Sequence, residues 1–187
     1  FTTGHTGFGI PFTTWPDRSD VPRPAARPMR YMDRYVTVTQ GSVFYMTEAL
    51  ASLEGLEKGP AGNTALAAAF ALAQEMDQDQ MILVQETEYT GAGKHIQPQL
   101  AFAKENGIEV VFGDPSDEVP GKNIVLPAHP SMIRAKDSDM AKLRKSLIKN
   151  ALEMTGKVPT DEDIEFLAKE TKSDVEFVKN AISELQK

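Results

Sequence analysis

The 187-residue sequence has no cysteine, which excludes disulfide frameworks, thiolate zinc sites, iron–sulfur clusters and cysteine nucleophiles together. Positive charge is in short supply: 20 Lys and Arg face 27 Asp and Glu, for a formal net charge of −7. Non-specific binding to a nucleic-acid backbone is therefore not expected as the main activity. No apolar run approaches the roughly 20 residues of a membrane-spanning helix, and the opening residues lack the basic-then-apolar pattern of a signal peptide. The three histidines, His5, His95 and His129, are scattered without metal-ligand spacing. No Gly-x-Ser-x-Gly nucleophile elbow occurs. A cysteine-free chain fits a reducing compartment, and a cytoplasmic setting is expected. What is present is an ordinary globular composition, 41% hydrophobic and 25% charged, long enough for one domain plus an appendage without disulfides or a structural metal.

The chain begins at Phe1 in an uncharged Gly/Thr/aromatic stretch without helix or strand period. That opening reads as a piece cut from a longer protein. Residues 1–34 form a Gly/Pro/Arg-rich segment, locally basic through Arg18, Arg23, Arg27 and Arg30. A structureless stretch of this length is usually functional or ordered by something else. Residues 35–150 alternate between strand and helix signals. Residues 35–39 alternate as a strand, and Ser42 precedes an amphipathic helix through Leu53. Asn63 or Thr64 is placed to cap a helix over 65–76. Met81, Ile82, Leu83 and Val84 are a continuous apolar run, the pattern of a buried parallel strand. A helix over 97–106 is closed by Gly107, and strands follow over 108–112 and 124–126. The helical stretch over 131–154 is rich in Lys and Arg. Residues 151–187 form a helical appendage with two acidic starts, Thr160 with Asp163 and Ser173 with Glu176. The expected fold is α/β, a partial open parallel sheet with helices on both faces, plus a small acidic helical tail. An incomplete sheet of this kind leaves apolar edges and faces uncovered.

Two segments carry residues able to do chemistry. The first, 55–64, is a glycine-rich loop opening an Ala-rich helix. Its glycines allow backbone to approach a flat or anionic ligand, although the spacing is neither a Walker loop nor a dinucleotide fingerprint. A helix-entry turn that needs glycine for backbone reasons accounts for it equally well. The second is Thr87-Glu88-Tyr89-Thr90-Gly91-Ala92-Gly93-Lys94-His95, placed after the expected strand at 81–84. Ligands of open α/β sheets gather beyond the carboxyl ends of strands. A Thr hydroxyl beside two glycines suits a heterocycle there, while Lys94 and His95 suit phosphate binding or proton movement. A polar loop with a surface lysine is the competing account.

In this order the two segments resemble the fold-type-II pyridoxal-phosphate enzymes, the tryptophan synthase β and threonine synthase group. The resemblance implies pyridoxal 5'-phosphate as cofactor, with Thr90 on the pyridine nitrogen and Gly91, Glu54 and Gly55 alongside it. Longer strings, FTTGHTGFGIPF, RYMDRYVTVTQGSVFYMTEAL, EGLEKGPAGNTALAAAFALAQEM and QETEYTGAGKHIQPQL, are similar to the β subunits of the 2-amino-4-oxopentanoate thiolase family. That resemblance implies condensation of alanine with acetyl-CoA in ornithine fermentation, and a small α subunit as partner. It also makes Arg18, Arg23, His5 and Lys94 candidate substrate contacts. Neither the family's Ser-x-Lys context nor its Ser/Thr-Gly-Asn loop is in this sequence. No catalytic residue is therefore assigned, and the chain alone is expected to be inactive. Another fold-type-II lyase or synthase, and a non-catalytic interaction module built on the acidic helices, are the alternatives.

Overall fold

The computed structural model describes residues 27–85 and 95–185. They pack as two units, one of residues 36–136 and one of residues 27–35 with 137–185. Among the described residues the secondary structure is α/β, with six α-helices and two two-stranded sheets.

In the first unit, a short strand β1 (Val36–Thr37) leads into α1 (Gln40–Glu54). The strand expected over 35–39 is cut short because Thr39 is the N-cap. Its Oγ1 accepts from the Ser42 backbone N–H, so Ser42 lies inside the helix instead of preceding it. The other end closes at Gly55, whose φ of 67° is the left-handed conformation that glycine adopts without a steric cost. Helix α2 (Asn63–Ala73) starts at Gly62, with no side-chain cap. Helix α3 (Gln97–Glu105) ends ahead of Gly107, where φ is 77°, close to the reading from sequence.

Strands β2 (Glu109–Gly113) and β3 (Asn123–Pro127) pair in parallel, from Glu109 opposite Asn123 to Gly113 opposite Pro127. Ile124 and Leu126 on β3 join Phe44 of α1 and Leu100 and Ala103 of α3 in one apolar cluster. Val125, which points to the other face, is buried as well, as expected of a parallel strand covered on both sides. A second cluster joins Val43 and Met46 of α1 to Ala67 and Ala71 of α2 and to Ile133.

The run Met81–Val84 is not a strand. It has no regular structure, and Met81 and Leu83 are 93% and 98% exposed. An apolar run becomes a parallel strand only beside a hydrogen-bonding neighbour and beneath covering layers. Among the described residues the parallel sheet consists of β2 and β3 alone. Phe112 on β2 is likewise 75% exposed.

The helix expected from Ser131 begins later. Residues 130–132 form a 3-10 turn in which His129 Nδ1 accepts from the Ser131 N–H. A two-residue strand, β4 (Lys136–Asp137), follows. Asp139 then caps α4 (Met140–Thr155) by accepting from the Lys142 N–H.

In the second unit, Ile148 of α4 packs with Leu167 and Ala168 of α5 (Asp161–Thr171) and with Val178, Ala181 and Ile182 of α6 (Val175–Leu185). The sequence signal at Thr160 is realised in full. Its hydroxyl accepts from the Asp163 N–H while the Asp163 carboxylate accepts from the Thr160 N–H, a reciprocal capping box. Those hydrogen bonds hold the exposed Asp163 carboxyl below its ordinary range. At α6 the capping group is Asp174, one residue after the expected Ser173, and it accepts from the Phe177 N–H at 2.6 Å. Arg30 and Lys172 are tied to Glu170 and Asp33, and Arg34 grips Asp137 with two hydrogen bonds of 2.6 and 3.1 Å. Exposed pairs of this kind each add at most about 1 kcal/mol.

Candidate functional site

The glycine-rich loop is fastened from below. Asn63, the first residue of α2, is fully buried. Its Nδ2 donates to Thr47 Oγ1 on α1 at 3.1 Å and to the Lys58 carbonyl in the loop at 3.3 Å. Thr47 in turn donates to the Val43 carbonyl at 2.8 Å, so its oxygen is oriented to accept from Asn63. Asn63 Oδ1 has no hydrogen-bond partner. Asn63 is thus a tether between loop and helix, where the sequence suggested a cap. The pairing with a threonine sixteen positions earlier carries no local signal.

The two cofactor candidates within the described residues, Glu54 and Gly55, adjoin this loop and are both exposed. Glu54 is the last residue of α1 and Gly55 its left-handed cap. A Cβ added at Gly55 would meet nothing within 4 Å, so the left-handed φ alone accounts for glycine there, and the backbone face is open. A carboxylate at the negative end of a helix suits the donor-bearing edge of a ring and repels a phosphate. These two residues therefore do not fit a phosphate group. Thr90, Gly91 and Lys94, and the candidate substrate contacts Arg18, Arg23 and His5, lie outside the described residues.

One acidic side chain gave no sign of its role in the sequence. Glu118, in the connection between β2 and β3, accepts from the N–H groups of Gln40 and Gly41 at 2.7 and 2.8 Å, and from that of Val125 at 3.1 Å. It joins the start of α1 to the middle of β3. Burial pushes its carboxyl above the ordinary range, against the opposing pull of these three donors. Among the described residues no group of acidic or imidazole side chains could hold a metal ion, and no helix is long and apolar enough to cross a membrane.

Fold and site together define a small α/β unit, with a buried polar tether beneath a glycine-rich loop, and a separate three-helix unit. The chain is 73% identical over 187 residues to the 2-amino-4-ketopentanoate thiolase β subunit of Acetoanaerobium sticklandii. It is 62% identical over 186 residues to a protein of the same name from an unidentified prokaryote. These alignments take in 100% and 99% of the chain but only 40% and 39% of the two relatives. The resemblance, which the motif strings carry over residues 1–150 only, is therefore shown along the whole chain, the helical tail included, ketopentanoate and oxopentanoate being two names for one compound. No protein-family model matches the chain, and no solved structure does.

Proposed function

We propose that the chain serves in the β subunit of a pyridoxal-phosphate-dependent acyltransferase that joins alanine and acetyl-CoA into 2-amino-4-oxopentanoate and CoA, a reaction of ornithine degradation, with a small α subunit as partner. One observation carries the reading: 73% identity to a thiolase β subunit across all 187 residues. When bound, the cofactor supplies an electron sink for negative charge developing at the alanine Cα. The work of this chain's own residues is to orient that group. The Thr90 hydroxyl holds its proton toward the pyridine nitrogen, and as a neutral partner it leaves that nitrogen unprotonated. Gly91 and Gly55 give the ring access to backbone, with Glu54 alongside. Arg18, Arg23, His5 and Lys94 serve the anionic groups of the substrates. The chain by itself is inactive in this proposal, because it has no Ser-x-Lys lysine context.

The test is Thr90→Val in a relative-length β subunit combined with its α subunit. The variant is expected to bind pyridoxal phosphate roughly tenfold more weakly, the value of one hydrogen bond to a charged or strongly polar group, and to shift the cofactor's absorption band. An unchanged spectrum and affinity would remove the Thr90 assignment. Failure of the parent protein to form 2-amino-4-oxopentanoate from alanine and acetyl-CoA would overturn the reaction itself.

A further inference from the structure

A cavity of about 900 Å³ opens in the second unit, among α4, α5, α6 and the 3-10 turn at Arg27–Tyr31. That volume falls in the range of small-molecule sites. Four cations line it, Arg30, Arg144, Lys169 and Lys172, together with Glu165 and Asp174. Arg30 and Lys172 are already paired with Glu170 and Asp33, which leaves Arg144 and Lys169 for a ligand. The two acids differ in availability. Asp174 is committed to the α6 N–H of Phe177, whereas Glu165 is exposed on α5 and free to turn to solvent.

The cations are held in distinct ways. Arg144 spends its Nε and one Nη2 hydrogen on the carbonyls of Thr171 and Lys172, at 3.0 and 3.1 Å. Of the five guanidinium hydrogens, three are left over, on a group whose orientation is already fixed by the end of α5. Arg30 is steadied by Glu170 at 3.1 Å and by the ring of Tyr31. Lys169 is exposed, and among the described residues its ammonium has no partner. Beside these groups, Val175 and Phe177 provide an apolar wall.

A preset guanidinium, one exposed lysine and an adjoining apolar wall together match a ligand that has phosphates at one end and a flat heterocycle at the other. We infer that this cavity binds a phosphorylated nucleotide, and specifically the adenosine bisphosphate end of CoA, with Arg144 and Lys169 on its phosphates and the base against Phe177 and Val175. The choice of CoA among nucleotides rests on the proposed reaction. The site itself rests on the cavity. It is distinct from the Gly-rich loop of the first unit and uses none of the residues assigned there.

The experiment uses a relative-length β subunit with its α subunit and three probes: adenosine 3',5'-bisphosphate, inorganic phosphate and acetyl-CoA. Calorimetric titration is expected to show saturable binding of the bisphosphate that weakens with salt. Binding should weaken roughly tenfold in Lys169→Glu, the scale of one charge-assisted hydrogen bond. The same variant raises the acetyl-CoA KM and leaves the alanine KM and the circular-dichroism spectrum unchanged. Arg144→Lys, which keeps the charge and loses the fork, tests the preset guanidinium and is expected to weaken the bisphosphate as well. Equal affinity for the bisphosphate in the parent and both variants overturns the site, whatever the catalytic result. Phosphate binding without preference for the bisphosphate overturns the nucleotide class. Loss of bisphosphate affinity in the variants of a protein that does not turn over acetyl-CoA upholds the site and sinks the CoA reading alone.

Discussion

Gly41→Ala should collapse the first unit. Gly41 lies in the first turn of α1, and a Cβ there would drive into the carbonyl of Val125 on β3 and stand 3.0 Å from the Leu126 nitrogen. Both obstacles are backbone, held in the parallel pairing with β2, so no rotamer change can relieve the clash. Overpacking in a well-filled interior costs about 1–3 kcal/mol when side chains can yield, and more when they cannot. About 4 kcal/mol is expected here, a large part of the stability of a typical domain. Urea unfolding followed by circular dichroism, together with limited proteolysis between α1 and β3, would register the loss. A midpoint within the usual scatter of surface substitutions would mean that α1 and β3 do not approach so closely.

Glu118→Ala is expected to cost roughly 3–5 kcal/mol, because three backbone N–H groups lose their acceptor at once. Two of them, on Gly41 and Val125, belong to buried residues that solvent cannot reach. Glu118→Gln separates charge from hydrogen bonding. Since burial raises the Glu118 carboxyl above its ordinary value of 4.5, the folded form takes up a proton more readily than the unfolded one. The contribution of this group is thus fully present below the unfolded value and is lost as the pH rises through the folded one. The stability gap between the parent and E118Q should be widest in acid and shrink as the pH rises above 4.5. The lowered carboxyls of Asp114 and Asp163 act in the opposite direction, losing their contribution as the pH falls. They are common to both proteins and cancel in the difference. A gap that widens toward neutral pH would show that the three donors outweigh burial.

These two positions also mark what a sequence can and cannot disclose. Helix α3 and its glycine stop, the apolar runs of β2 and β3, and the Thr160 capping box were legible because each shows in residues within a turn or two of one another. Glu118 was not, since its partners on α1 lie 77 and 78 positions away, and no periodicity spans that distance. The run at 81–84 misled for a related reason. Its apolar pattern states a preference for burial, but whether it pairs depends on neighbouring strands that the run does not encode. The local context allows Asn63 or Thr64 as a cap, whereas Asn63 instead donates to the buried Thr47 hydroxyl of α1. Glu54 ends α1 and Gly55 caps it. Their glycine signal is satisfied by a helix end alone, which is why composition could not decide between turn and ligand.

The turn between α5 and α6 is made at Lys172, which has a φ of 51°. Left-handed backbone costs a residue with a Cβ roughly 1–2 kcal/mol relative to glycine. A design aimed only at thermal endurance would place glycine there, and the helix pair would gain for it. It would then lose an ammonium from the rim of the cavity, and with it the contact to Asp33. The most accessible route to a hardier second unit therefore runs through its electrostatics, and any thermostabilised version of this protein that adopts it exchanges ligand attraction for rigidity.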